Sequence, residues 1–220
     1  MRTKILLASA AALAAGVLAS SAQVYSANIV GYVNTTFAGS GNYTLVATPL
    51  DNSGSNDLTS LLSNTLPNKS QVTVYNAASA TFTVSSKISG VWNTNFTLNP
   101  GTGYFVKTPA ASGPLTNTYV GNVLNSTFGY GQSNTVNLQA GFQLVGNPVP
   151  FSGQLSSSGP DSINLTLPNK SQVEIFDTPS QTYVIASLLS GTWNTNITLN
   201  VGQGFFINAH SVTNWVQTLQ

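Results

Sequence analysis

The composition of this 220-residue chain excludes several classes of protein before any motif is considered. The chain has no cysteine, so it can form neither a disulfide framework nor a thiolate metal site. Charged residues make up 5% of it and the formal net charge is +1, whereas nucleic acids and anionic membranes are bound by strongly basic surfaces. We therefore expect no nucleic-acid partner.

The first 22 residues have the pattern of a secretory signal peptide. Arg2 and Lys4 precede an apolar run over residues 5–19, and small residues at 20–22 suit cleavage. The run is shorter than the roughly 20 residues of a membrane-spanning helix, and no comparable run follows it. We expect a mature chain from Gln23 onward that has no membrane span and is secreted or held in the cell envelope. Export without cysteine favours a bacterial protein.

Short runs of alternating apolar residues predict an all-β chain. The predicted strands are, in chain order, residues 28–37, 43–49, 71–75, 82–84, 118–128, 142–149, 172–176 and 183–185. Residues 28–37 and 118–128 are expected to open two equivalent modules. Residues 57–64 are the exception, because Leu58, Leu61 and Leu62 share one face of a short helix.

The chain contains an internal repeat at an offset of 101 residues. Residues 66–107 align without a gap to residues 167–208, and 22 of the 42 pairs are identical. A fixed period predicts repeated structural units. After the signal peptide (1–22), we expect two tandem antiparallel β-sandwich or barrel-like modules, 23–112 and 113–220. The connection at 109–114 is too short for a free tether, so the modules should pack together or form one pseudo-twofold domain.

The densest shared element is SGxWNTNxTLNxGxGxF, at residues 89–105 and 190–206. Its glycines predict a tight turn with positive φ. The strand that follows each turn is apolar on both faces, at residues 104–106 and 205–207. Such a strand belongs inside a sheet rather than at its edge.

Two segments carry a resemblance to known proteins. GFQLVGNP at residues 141–148 and GQGFF at residues 202–206 resemble a β-module of secreted bacterial proteins that typically reads GWNLVGNPY…GQGFFV. The segment AQVYSANIVGYV, residues 22–33, resembles the opening of uncharacterised exported two-repeat β-proteins of Verrucomicrobia-type bacteria. The resemblance implies export and a β fold. Its motifs are structural, so it implies no catalytic residue and no cofactor.

Two tryptophans with flanking asparagines are the strongest candidates for a ligand site. The six residues are Trp92, Asn93, Asn95, Trp193, Asn194 and Asn196. An exposed indole can stack on a sugar ring while the amides bind its hydroxyls, and two copies would add avidity toward a cell-surface polysaccharide. The alternative is that each indole closes the end of its module's core, with its N–H bound by loop carbonyls.

No arrangement of residues in the sequence predicts catalysis or a metal site. His210 is the single histidine and lies just past a predicted strand, where we expect it to be exposed. A carboxylate pair for glycoside hydrolysis is a third hypothesis, but the five acidic residues show no supporting motif. We therefore expect a non-enzymatic cell-surface or extracellular-matrix protein with a structural or interaction role. Its low charge would permit self-association. A carbohydrate-binding module pair is the alternative.

Overall fold

The computed structural model describes residues 30–124, 133–155 and 162–218, and these form an all-β fold, as predicted. The elements of the first half are β1 (Val30–Phe37), β2 (Tyr43–Ala47), α1 (Leu58–Leu62), β3 (Gln71–Asn76), β4 (Thr81–Ile88), β5 (Val91–Trp92), β6 (Gly103–Lys107) and β7 (Leu115–Asn122). Those of the second half are β8 (Ser133–Leu138), β9 (Gly141–Gly146), β10 (Gly153–Gln154), β11 (Gln172–Asp177), β12 (Thr182–Leu189), β13 (Thr192–Trp193), β14 (Thr198–Leu199), β15 (Gly204–Ala209) and β16 (Thr213–Thr218).

The repeat appears in the structure as two five-stranded antiparallel sheets with the same connectivity. Sheet 1 has the order β2-β6-β3-β4-β5, and sheet 2 has the order β9-β15-β11-β12-β13. The strands that are apolar on both faces, β6 and β15, lie inside their sheets and are almost entirely buried, which confirms the prediction for them. A smaller pair, β10 with β14, lies beside sheet 2.

Each half is completed by a two-stranded ribbon, and the first ribbon differs from the prediction. Residues 118–128 were expected to open the second module, but β7 pairs with β1 along its whole length. Tyr119 of β7 is buried in the core of the first half. The strand equivalent to β1 is β8, which pairs with β16. The predicted residues 28–29 and 125–128 lie outside the described residues.

Two separate cores form on the outer faces of the sheets. Val72 and Val173, at equivalent positions of the repeat, are both fully buried in their respective cores. The predicted helix is present in the first core, with Leu58 and Leu62 buried. Asp57 caps it by accepting a hydrogen bond from the Ser60 amide, which satisfies one of the free donors of the first turn.

The two halves interlock through a reciprocal pair of backbone hydrogen bonds. The Ala47 amide donates to the Gly202 carbonyl at 2.8 Å, and the Gly146 amide donates to the Gly101 carbonyl at 2.8 Å. Gly101 and Gly202 have φ values of +81° and +72°, as the turn prediction requires. A side chain at Gly146 would place its Cβ 2.0 Å from that of Ala47. Gly101 and Gly202, which the repeats share, and Gly146, which faces Ala47, therefore permit close contact between the halves.

Candidate functional site: an aromatic cleft between the sheets

The predicted tryptophan sites differ in exposure. Trp92 is 6% exposed, packs in the first core, and its Nε1 donates to the Ser63 Oγ at 3.0 Å. An indole this buried offers no free face to a sugar ring. Trp193 is half-buried against the second core. The geometry at Trp92 therefore favours the core interpretation, which leaves the carbohydrate hypothesis without its paired platform.

The asparagines beside the two tryptophans hold neighbouring backbone and side chains in place. The Oδ1 atoms of Asn93 and Asn194 accept hydrogen bonds from the amides of Ser86 at 2.9 Å and Ser187 at 2.8 Å. Asn95 and Asn196 bind equivalent segments of the two halves, which are the start of α1 in the first half and β10 in the second. Asn95 Nδ2 donates to Asp57 Oδ1 at 2.9 Å, and Asn196 Nδ2 donates to Gln154 Oε1 at 2.7 Å. These equivalent contacts explain why the four asparagines recur.

The identical LPNKSQV segments also have a structural role. The Oδ1 of Asn68 accepts a hydrogen bond from the Gly90 amide at 2.6 Å, and the Oδ1 of Asn169 accepts one from the Gly191 amide at the same distance. Each segment thus fixes the turn that follows the long strand of its sheet. The most similar parts of the repeat maintain the fold, and function must be sought elsewhere.

The inner faces of the two sheets meet in a layer of aromatic rings, which we call the aromatic cleft. Its eight aromatic residues form four equivalent pairs: Tyr43 and Phe142, Tyr75 and Phe176, Phe82 and Tyr183, Phe105 and Phe206. Phe105 and Phe206 are buried at its centre with Leu45 and Leu144. Phe82 and Tyr183 remain 53% and 42% exposed. The cleft is thus partly open to solvent.

Two cavities lie in the aromatic cleft, and their lining residues are related by the repeat. The acidic cavity, about 340 Å³, is lined by Tyr75, Ala80, Phe82, Phe142, Glu174, Tyr183 and Phe206. The neutral cavity, about 300 Å³, is lined by Tyr43, Thr73, Phe82, Val84, Phe105, Phe176 and Tyr183. Five aromatic rings contribute to each cavity. The duplication has therefore produced two copies of one aromatic pocket.

Several substitutions between the repeats make the cavities different, and two of them change the polar groups at the lining. The acidic cavity contains Glu174, and the equivalent residue in the neutral cavity is Thr73. Ala80 lines the acidic cavity, whereas its equivalent, Gln181, binds the edge of β2. The Tyr43 amide donates to Gln181 Oε1 at 2.9 Å, and Gln181 Nε2 donates to the Tyr43 carbonyl at 3.0 Å. A methyl group at Ala80 cannot make such a link, so the edge of β9 is not held in this way.

Glu174 is electrostatically unusual for a surface carboxylate. It lies beside Phe206 on the neighbouring strand, and burial raises its pKa. Burial, followed by the charge of Glu174, raises the pKa of the Tyr183 hydroxyl. Among the described residues, Glu174 has neither a hydrogen bond nor an ion pair from its side chain. A partly desolvated carboxylate without a partner is costly unless something compensates it.

The aromatic cleft was missed at the sequence level, although the sequence contained its signal. In β3, Val72 and Val74 share one face of the strand, and in β11 Val173 and Ile175 do the same. Tyr75 and Phe176 are the next residues along each strand, so they face away from the cores. The alternation shows that these faces are apolar. It does not show that they face each other across a cleft.

A second exposed feature is the outer edge of β4 and β12. Residues 81–84 of β4 and 182–185 of β12, which we call the edge segments, are all exposed. The adjoining strands β5 and β13 pair only with the far ends of β4 and β12. The edge segments read TFTV and TYVI, with neither charge nor proline. Charges and prolines are the usual protection of strand edges, so these edges are unprotected.

The remaining candidates do not form a site within the described residues. His210 is exposed, as predicted, and its backbone amide donates to the Ser171 Oγ at 3.0 Å. Asp51 accepts a hydrogen bond from Asn56, while Asp161 lies outside the described residues. No group of three metal-ligating side chains occurs in the described ranges. In those ranges, no helix has the length and apolar character needed to cross a membrane.

Comparison with known proteins gave no match: no protein-family model, no curated protein and no solved structure is significantly similar to this chain. The functional argument therefore depends on the geometry described above.

Proposed function

We propose that this protein is exported and acts, without catalysis, as a structural or interaction protein of the cell surface or extracellular matrix that associates with copies of itself. The pattern of residues 1–22 supports export. The observation that carries the proposal of association is the pair of edge segments. They lie at equivalent positions of the two halves, and both are exposed and uncharged.

The physical basis is strand addition between molecules. An unpaired strand edge presents amide and carbonyl groups that another strand can satisfy. Because one molecule has two such edges, the β4 edge of one copy can pair with the β12 edge of the next. This contact is heterologous, and it produces open chains unless a ring closes.

Charge does not oppose this association. After residue 22 the chain has four lysines and five acidic residues, so its formal charge is −1. Net charge far from zero keeps proteins apart in solution, and this chain lacks that protection. The carbohydrate alternative has less support, because Trp92 is buried.

Light scattering and negative-stain microscopy of residues 23–220 over a concentration series test the proposal. We expect oligomers or filaments whose size increases with concentration. Thr83→Lys and Val184→Lys occupy equivalent positions in the edge segments, and together they should abolish assembly. Val30→Lys together with Val212→Lys adds the same charge at positions that are 53% and 66% exposed but outside the edge segments, and should leave assembly intact. A monomer at every concentration, or assembly by the double edge variant, would contradict the proposal.

A further inference from the structure

The acidic cavity combines an aromatic lining with a carboxylate that has no partner. Phe206 packs against the other four rings of the lining, its ring centroid lying 5.5 Å from that of Tyr75, 6.3 Å from Phe82, 6.2 Å from Phe142 and 6.1 Å from Tyr183. The faces of aromatic rings carry negative electrostatic potential and attract cations within about 6 Å of the ring centroid. Both components of the lining therefore favour positive charge.

We propose that the acidic cavity binds the alkylated ammonium group of a small organic cation. Glu174 would supply the opposite charge, and the partly exposed rings of Phe82, Phe142 and Tyr183, together with Tyr75 and Phe206, would contact the alkyl groups. A volume of about 340 Å³ is at the lower end of the range for ligand pockets, which suits a small head group.

The polarity of the lining distinguishes this ligand from a sugar. A sugar seated on this lining would need hydrogen-bond partners for the hydroxyls on its contacting face, since an unpaired polar group is costly to desolvate. The acidic cavity offers few such partners, namely the Glu174 carboxylate and the tyrosine hydroxyls. A quaternary ammonium group has no hydrogen to donate, so it requires only charge and apolar contact.

The neutral cavity is a control within the same molecule. It has the same number of rings, but Thr73 replaces Glu174, and the Lys107 ammonium lies over the Tyr43 ring, 4.8 Å from its centroid. The residue equivalent to Lys107 in the second half is the uncharged Asn208, which pairs with Phe142. Glu174 pairs with Phe206 across the strands, and Thr73 pairs with Phe105 in the same register. A carboxylate placed at residue 73 should therefore lie beside a ring as Glu174 does.

Ligand-observed NMR and calorimetry with choline test the proposal. Choline should bind once per chain, and at least about tenfold more tightly than its neutral carbon analogue, 3,3-dimethylbutan-1-ol, because the analogue lacks the charge. Glu174→Gln keeps the shape of the side chain and should lower choline affinity by a similar factor. Thr73→Glu combined with Lys107→Asn, which reproduces Asn208 of the second half and frees the Tyr43 ring, should raise the number of sites from one to two.

A matched pair of ring variants controls for effects on the fold. Phe142→Leu removes a ring from the acidic cavity and should weaken choline binding, whereas Tyr43→Leu at the equivalent position should not. Circular dichroism and thermal melting of each variant would establish that it is folded. Equal binding of choline and its neutral analogue, or unchanged affinity in folded Glu174→Gln, would overturn the proposal. Tighter binding of n-butylammonium than of choline would also overturn it, in favour of a lysine side chain from a partner.

Discussion

Replacement of Trp92 by alanine separates the core role of this residue from a role in ligand binding. The side chain is 6% exposed, and its Nε1 is bonded to Ser63. Truncation of a buried tryptophan removes its apolar contacts and leaves a cavity, which costs about 3–5 kcal/mol. The Ser63 hydroxyl also loses its donor, although it lies near solvent.

The predicted cost is large compared with the stability of a typical protein. The free energy of unfolding of native proteins is about 5–15 kcal/mol, so Trp92→Ala should remove a substantial fraction of the stability of this fold. At about 2–4 °C for each kcal/mol in a chain of this size, the melting temperature should fall by about 6–20 °C. Trp193 is half-buried, and Trp193→Ala should therefore cost clearly less.

Urea titration and thermal melting, followed by circular dichroism, measure these effects directly. Trp92→Phe serves as a control, because it keeps most of the buried volume and loses mainly the hydrogen bond, at about 1 kcal/mol. Binding of wild type and variants to a panel of polysaccharides should not differ where the proteins remain folded. An unchanged melting temperature for Trp92→Ala, together with lost polysaccharide binding, would refute the assignment of this residue to the core.

Three further predictions concern polar groups. Burial raises the pKa of Glu174, so the folded state loses stability as the pH rises from the ordinary pKa of a glutamate to the raised pKa in the folded protein. Glu174→Gln should therefore melt at a higher temperature than wild type at pH 7, but not in strong acid. Hydrogen bonds from Ser60 and Asn95 lower the pKa of Asp57 to about 2. The stability that Asp57 contributes is therefore present above its ordinary pKa of 3.8 and is lost as the pH falls toward 2. Asp57→Ala should cost about 1 kcal/mol of stability at pH 7, measured by urea titration, and little at pH 2. The buried hydroxyls of Tyr104 and Tyr119 are hydrogen-bonded to each other; Tyr104→Phe should cost about 1–3 kcal/mol, and a double-mutant cycle with Tyr119→Phe should recover part of it.

Local patterns were sufficient to predict most of the strands and the helix. The alternation that begins at Val72 and Val173 defines one buried face in each half, and both residues are fully buried. Asp57 before an apolar run is a typical helix start, and the structure places it at the N-cap. These predictions succeeded because each depends on neighbouring residues.

The pairing of distant strands was not predictable in this way. β7 resembles an opening strand by composition, yet its partner is β1, more than 70 residues earlier. Lys87 shows the same limit, because no local pattern in the sequence distinguishes it from a solvated lysine. In the structure it is buried, and its Nζ donates to the carbonyls of Ser63 and Leu66, near the end of α1. The equivalent residue in the second half is Leu188, where no such helix is described.

The differences between the repeats are more informative about function than their identities. The identical asparagines and glycines hold turns and bring the halves into contact, and any copy of the fold would need them. Glu174 in place of Thr73 adds an unpaired charge to an aromatic cavity, which does not help the fold. Gln181 in place of Ala80 fixes the strand edge beside the neutral cavity. The neutral cavity thus has a structural link beside it, while the acidic cavity lacks that link and carries a charge. This division of roles is expected if the acidic cavity has a ligand and the neutral cavity does not.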